Sequence, residues 1–586
     1  MVLRPSIKTR VFGQDSLFCM NASFETLAQY ATTDRILRLV ARERAKFTAK
    51  SKGKSEPKEE GTLYGMVKGM TPPHRLWSGA GTLKLPKKEE RGIGKWIYPK
   101  RAASARVLAA IHRHWEDTDE PWNRTLREFI AEVQDSLAAD GPLVLETPTV
   151  IPKIKKTAES GEHIFRPICL YKDLKTKVIL ALTYQYILDK FDRCFHDDML
   201  FMRAARRMAD GNYAMPKYLD AIDSVERYRM RCGKQNIFVG ECDIQKFYDI
   251  FNHDDILACF EDLFEVKKGR GVPDWAFTPL RRVITAYLDS FDYPGQVMGK
   301  NGDQAYWQKE KRIRTKEKDP VCRFEWVDPA DFVRVGCYGE EELQKAIDGG
   351  KIGIPQGGAL SGIIVNVVMR VVDKPIVTRE DPQRLFIRYC DDILLMNTDR
   401  DACERDLTAY ARELVRHRLL PHPFKRVADM KSGRRNKPAF WNAKSKLTYR
   451  WGGGEGDASD WVAFVGYEMR RTGERRIRKD KIDQEFKRIA HCYYRVIKAK
   501  AVKTEGLDDE GRESLMQRFD TLPGHILDYE KATDNVYSRS QARRLDKYLY
   551  KKARQAANRI GIPDQAKAAA ARKGYVRAIH PGPEKG

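Results

Sequence analysis

The stretch 384-RLFIRYCDDILLMN-397 sets two adjacent carboxylates, Asp391 and Asp392, between two runs of bulky apolar residues. Leu385, Phe386 and Ile387 before them and Ile393, Leu394 and Leu395 after them predict strand–turn–strand, with the acids at a hairpin tip. The apolar flanks anchor such a hairpin in a core, so the acids project rigidly. Two neighbouring carboxylates repel, and both stay ionised only beside a cation. Oxygen-only ligation selects a hard ion such as Mg²⁺. Taken alone, an acid pair in a hairpin is also an ordinary Asp-Asp turn.

A third carboxylate changes the chemistry. In 239-VGECDIQKFYDIFNH-253, Asp243 ends an apolar strand and is followed by Phe247 and Tyr248. Two strands side by side bring Asp243 beside Asp391. Three acids on two Mg²⁺ ions make a site for two-metal phosphoryl transfer, one ion activating a 3′-hydroxyl and the other holding a triphosphate. A third stretch, 351-KIGIPQGGALSGIIVN-366, has Gly353, Gly357 and Gly358, which let backbone approach a ligand, and Pro355, which stiffens the loop. A helix is expected to start near Leu360–Ser361. A lone Gly-rich loop is weak evidence of phosphate contact, since plain turns look the same.

The elements that must position these groups are legible in outline. Helical spacing is expected over 101–115, 124–138, 174–195 and 401–419, and a β-hairpin over 148–172. Strands are expected at 236–244 and 461–468. Residues 46–61 read as a mobile loop, 296–330 as an insertion loop, and 428–460 as loop-like. Beyond about 480 the pattern is helical and basic, with twelve Lys+Arg against three Asp+Glu over 541–586. The stripe Leu545, Leu549 suggests a helix packed on one side and facing phosphate on the other.

The chain has 586 residues, enough for roughly three to four modules. Its net charge of +25 comes with abundant charges of both signs, which points to a folded protein that meets a polyanion, most often nucleic acid. Its eleven cysteines include no C-x-x-C pair, which argues against a zinc ribbon or finger and for reduced thiols. No secretory h-region and no run long enough to cross a bilayer are present, so a cytoplasmic protein is expected.

In this order the three stretches resemble the palm of reverse transcriptases. Asp243 to His253 is similar to the first catalytic motif, with Phe251 replacing the usual Ile. Ile354 to Gly358 is similar to the second, and Tyr389-Cys390-Asp391-Asp392 to Y-x-D-D. The resemblance is nearest to the bacterial branch of group II intron enzymes, retrons and the defence-associated "unknown group". Ile151-Pro152-Lys153 and Arg166-Pro167-Ile168 resemble finger motifs. Asp173 stands near the start of a family helix whose Gln is missing here, and Phe464-Val465-Gly466-Tyr467 resembles the primer grip. About 110 residues separate Asp243 from Pro355, more than a minimal palm uses.

What the resemblance implies is an α+β right-hand polymerase with an antiparallel palm sheet, a helical thumb and a mostly helical N-terminal extension. Its expected divisions are extension 1–140, fingers 141–235, palm 236–470 with an insertion at about 290–345, and basic helical thumb with C-terminal extension 471–586. Asp243, Asp391 and Asp392 would be catalytic and would hold two Mg²⁺ ions with the Ile244 carbonyl, Mn²⁺ being able to substitute. Lys153, Arg166, Phe247, Tyr248, Gln356 and Gly357 would bind dNTP, with Tyr248 as the steric gate against a ribose 2′-hydroxyl. Phe464, Gly466 and Tyr467 would grip the primer, and Lys431 and Lys444 are both candidates for the lysine that protonates pyrophosphate. The expected activity is RNA-directed DNA synthesis, with dNTPs, an RNA template (a noncoding RNA) and a cDNA product as partners, no membrane, and a homo-oligomer or partner protein left open. Anti-phage defence is the expected setting. The alternatives are a maturase-type RNA-binding splicing cofactor and a template-independent or protein-primed DNA polymerase.

Overall fold

The computed structural model describes residues 24–48, 62–77, 98–158, 161–207, 213–309, 321–430, 437–453, 456–500 and 537–559. The N-terminal part is helical, as expected, with α1 (Thr33–Thr48), α2 (Tyr98–Arg113) and α3 (Pro121–Ala138). Pro121 opens α3, where its missing N–H costs nothing. Trp122, Leu126, Phe129, Ile130, Val133 and Leu137 fall on one face of α3 and are buried. The mobile loop expected over 46–61 is helical to Thr48, and 49–61 lie outside the described residues.

The 148–172 hairpin forms as β1 (Thr149–Thr157) and β2 (His163–Leu170), paired antiparallel. Helix α4 (Leu174–Phe191) follows, and Asp173 caps it by accepting from the Thr176 N–H at 2.7 Å. After α5 (Tyr218–Cys232) comes β3 (Phe238–Cys242), the strand that delivers Asp243, and then α6 (His253–Lys268).

The insertion is not a loop thrown out from this body. Its strand β4 (Cys322–Phe324) adds parallel to β2, giving the order β1-β2-β4. Trp307 packs on both Phe324 and Phe165, with ring centroids 5.1 Å and 5.2 Å away. The basic run at 310–320 lies outside the described residues.

Next, α7 (Ser361–Val377) runs through the core, with Ile363, Ile364, Val365, Val367 and Val368 all buried. The acid-bearing hairpin is β5 (Leu385–Tyr389) and β6 (Asp392–Asn397), followed by α8 (Arg400–Arg416). The stretch expected to be loop-like supplies another strand, β7 (Ser445–Trp451). The central sheet runs β7-β3-β6-β5, all neighbours antiparallel, with two short parallel additions on β7.

Alternation along β6 splits two cores. Ile393 and Leu395 face the core shared with α7 and the N-terminal helices, while Leu394 and Met396 face a second core that reaches the C-terminal helices. The single strand expected at 461–468 is a hairpin, β8 (Trp461–Phe464) and β9 (Tyr467–Arg470), turning through Val465 and Gly466 at φ 41° and 85°. Helices α9 (Lys479–Lys500) and α10 (Arg539–Arg559) follow, and Leu545 and Leu549 are buried as their spacing predicts. The result is α+β with the right-hand polymerase arrangement. No described helix is long and apolar enough to cross a membrane.

Candidate active site

Strand register brings the acids together. Cys242 pairs with Ile393, so one further step along β3 sets Asp243 across from Asp392. Tyr389 pairs with Asp392, which closes the hairpin over Cys390 and Asp391. Cys390 has φ 61° while Asp391 has no positive φ, the pattern of a II′ turn whose first position normally takes glycine. A non-glycine residue there is strained, and the surroundings must hold it. Arg388 does so from below: its Nη1 donates to the Cys390 carbonyl at 3.3 Å and its Nε to Asp373 Oδ2 at 2.7 Å.

Asp243 is also fixed through its backbone. Its N–H donates to Ser445 Oγ at 3.1 Å, and its carbonyl accepts from the His422 N–H at 2.9 Å. Its side chain is 4% exposed and accepts from Lys444 Nζ at 2.6 Å. Burial, then the charge of Asp243, pushes the Asp391 carboxyl up to about 6. Burial, then Asp391 and Asp243, pushes Asp392 up to about 7. Burial works against the charge on Lys444, yet Asp243 and its neighbours raise that ammonium above its usual value. The three acids therefore sense one another and share a need for positive charge, which Lys444 meets in part.

The donor set, carboxylates alone, is that of a hard divalent cation. Among the described residues no three His, Cys, Asp or Glu side chains stand close enough to form a ready-made metal cluster. The Asp243 carboxylate is held by Lys444, and the strand register sets Asp392 opposite it with Asp391 in the adjoining turn.

The expected dNTP ligands divide into two groups. Lys153 and Arg166 are directly opposite on β1 and β2, and both are exposed. Like charges facing each other destabilise a sheet pair, which an anion between them relieves. Gln356 Nε2 donates to Asp249 Oδ1 at 2.5 Å, and its main-chain carbonyl accepts from the Cys169 N–H at 2.8 Å, so the loop bridges the segment after β3 and β2. Gly357 is exposed with φ 89°. Tyr248 is half-buried, its hydroxyl 3.5 Å from Cys390 Sγ beside the acids. Phe247 differs from the expectation: its ring is buried against Phe251 at 4.8 Å and belongs to the core.

In the stretch expected to grip the primer, Phe464 and Tyr467 are likewise buried, in the second core, against which Val465 of the turn is also partly packed. A Cβ on Gly466 would lie 2.4 Å from Lys481 Nζ. Of the two candidate lysines, Lys444 lies at Asp243, and Lys431 falls outside the described residues.

Several functional neighbours carry no motif. Ser445 and His422 clamp Asp243, Arg388 supports the turn, and Glu325 reaches Lys155 and Lys156 of β1. A buried Arg just before Y-x-D-D was the one sequence signal available, because a charge inside an apolar run demands a partner.

Residues 340–451 match the profile of the reverse transcriptase (RNA-dependent DNA polymerase) family. That segment contains the Gln356 loop, the Asp391 hairpin and Lys444, whereas Lys153, Arg166 and Asp243 precede it. The chain thus carries a reverse transcriptase domain, and its enzyme class is RNA-directed DNA polymerase. No curated protein matches. Among solved structures, telomerase from Candida albicans in complex with a TWJ fragment of telomeric RNA is similar at 12% identity over 83% of this chain and 75% of that one, with a TM-score of 0.30. Apo telomerase from Candida tropicalis is similar at 12% identity over 95% and 96%, with a TM-score of 0.29. At such scores no residue role passes from those structures to this chain.

Proposed function

We propose that this chain copies RNA into DNA by two-metal nucleotidyl transfer with Mg²⁺. The observation that carries the reading is the register setting Asp243 across from Asp392, beside Asp391 and Lys444. In this reading Asp243, Asp391, Asp392 and the Ile244 carbonyl hold two Mg²⁺ ions, for which Mn²⁺ can substitute. Bound there, the ions lower the pKa of a primer 3′-hydroxyl and neutralise triphosphate charge. Lys153 and Arg166 receive the triphosphate, since charge spreads over its oxygens as the bond breaks. Tyr248 blocks a ribose 2′-hydroxyl, and Gln356 and Gly357 shape the base and template side. Lys444 carries a proton for the leaving pyrophosphate. The turn of the Phe464–Tyr467 hairpin steadies the primer end.

The fingers, palm and thumb of this reading are 141–235, 236–470 and 471–586. Its template is a dedicated noncoding RNA, its product cDNA, its setting the cytoplasm of a bacterium defending itself against phage. The resemblance of the motifs to the defence-associated branch supports that setting, and the intact acids favour synthesis over a splicing cofactor. Asp243→Ala is expected to abolish dNTP incorporation on an RNA template while RNA binding stays within about twofold. Loss of RNA binding instead would make Asp243 a structural acid. For the setting, phage plating compares wild type with Asp391→Ala/Asp392→Ala, and equal plaque counts would remove the idea that synthesis protects.

A further inference from the structure

The insertion has no part in the chemistry above, yet it ends at the junction of fingers and palm. Just after β4, the Glu325 carboxylate lies 3.2 Å from Lys246 Nζ, 3.5 Å from Lys156 Nζ and 3.8 Å from Lys155 Nζ. Lys155 and Lys156 belong to β1 of the fingers, and Lys246 follows Asp243 by three positions in the palm. One carboxylate therefore joins three ammonium groups from two lobes.

The contact is built rather than incidental. Lys246 Nζ also donates to the Glu325 carbonyl at 3.0 Å, and the Tyr293 hydroxyl donates to the same carbonyl at 2.8 Å. Lys246 itself has φ 47°, a conformation that costs a non-glycine residue energy. The side chains are 19% exposed for Glu325, 21% for Lys246 and 31% for Lys155, so these charges are partly withdrawn from water. Burial would raise the Glu325 carboxyl, yet Lys246, Lys156 and Lys155 hold it below its usual value. Burial, then Lys246, pushes Lys155 down to about 8, with Arg166 adding to the effect. Arg323 Nη2 lies 3.9 Å from the same carboxylate, so four cations meet one anion and, with Arg166 alongside, positive charge is left unmatched in a half-buried place.

We infer that Glu325 is a built-in counter-ion that keeps Lys155, Lys156 and Lys246 assembled for a polyphosphate, whose oxyanions then take these ammonium groups over from it. A phosphate chain carries more charge and more acceptor oxygens than one carboxylate, so it competes successfully for the same donors. The lysines converge on a single point instead of lining a groove, which suits a compact polyphosphate better than a strand backbone. The polymerase reading is needed only to identify that polyphosphate as the tail of an incoming nucleotide. In that setting Glu325 also helps expel pyrophosphate, because a product without base or sugar must compete with the carboxylate unaided.

Calorimetric titration of the full chain with inorganic tripolyphosphate, without divalent ions, tests the inference. Glu325→Gln keeps the size and the backbone contacts and is expected to bind about fivefold tighter than wild type. Adding Lys246→Ala to it is expected to return affinity to wild type or below. Glu162 pairs with Arg323 at 2.8 Å on the same sheet edge, and Glu162→Gln is the control for simple loss of negative charge, expected within about twofold of wild type. Equal affinities for Glu325→Gln and wild type, or an equal gain from Glu162→Gln, would overturn the inference. So would a gain seen with a single-stranded RNA oligonucleotide and not with tripolyphosphate. The readout involves no synthesis, so a chain that fails to incorporate dNTPs yet shows the gain would sink the polymerase reading and leave the anion site standing.

Discussion

Arg388 Nε donates to Asp373 Oδ2 at 2.7 Å, and neither side chain has exposed surface. The pair ties β5, which leads into the turn bearing Asp391, to α7, the helix that follows the Gln356 loop. Arg388 Nη1 reaches Asn366 Oδ1 at 3.4 Å as well as the Cys390 carbonyl, so one guanidinium fixes the turn against the core. A buried ion pair seldom adds net stability over a well-packed apolar pair. Its contribution here is direction, the aim of the strained turn that carries Asp391.

Removing half of the pair and replacing all of it should therefore differ. Arg388→Ala leaves a buried carboxylate uncompensated and is expected to cost about 3–5 kcal/mol in denaturant unfolding. The double variant Arg388→Met/Asp373→Leu is expected to melt near wild type. Its kcat for dNTP incorporation should nonetheless fall about tenfold or more, with KM for dNTP within about twofold. A folded double variant with wild-type kcat would show that the pair only packs.

The carboxyls pushed up by burial set a pH dependence. Asp391 lies at about 6, and Asp392 and the buried Asp249 at about 7. The folded chain then holds protons that an unfolded chain has released above its ordinary carboxyl pKa of roughly 4. Stability of the metal-free protein is thus fullest below about pH 4 from these groups, declines as pH rises through 6 to 7, and levels off above about 8. A divalent ion stabilises the ionised forms, so saturating Mg²⁺ should flatten the decline, and apparent Mg²⁺ affinity should rise over the same interval. Scanning calorimetry from about pH 5 to 8 measures both. With Asp391→Asn/Asp392→Asn the metal-dependent part should vanish while the Asp249 part stays. A metal-free melting temperature that climbs across this range would contradict the assignment.

Sugar selection should depend on the Tyr248 ring and not on its hydroxyl. Tyr248→Ala is expected to raise relative rNTP incorporation by roughly 10–100-fold, read as the ratio of kcat/KM values for rNTP and dNTP. Tyr248→Phe keeps the ring and loses only the contact with Cys390 Sγ, so its ratio should stay close to wild type. Unchanged selectivity in Tyr248→Ala would place the gate elsewhere.

The acid-bearing hairpin was legible because its pattern is local: apolar alternation on both sides of two acids specifies strand, turn and strand in fourteen residues. Asp243 was legible for the same reason. Strand β7 was not. Lys446 is 2% exposed near its start, paired with the buried Glu241 of β3, and a sequence reading takes a lysine between Gly- and Arg-rich flanks for solvent-facing loop. Only the cross-strand partner, some two hundred positions away, makes that lysine an interior residue. The rings of Phe464 and Tyr467 were misjudged in a related way. Their motif marks the hairpin, whereas tertiary packing decides that the rings lie in the second core. The partners of Asp243, Ser445 and His422, lie far along the chain and carry no periodicity of their own.

Strand β4 makes β2 an interior strand of its sheet, with the His163 N–H donating to the Val321 carbonyl at 2.8 Å and Phe324 fully covered. Trimming the 290–345 segment to reach a shorter, more ordinary polymerase would bare that row of amides together with the Phe165 ring, which Trp307 of the segment covers. An open, flat, aromatic-backed strand recruits copies of itself. The segment therefore serves as a solubility guard, and truncated versions of this protein should be sought in the pellet before they are judged inactive.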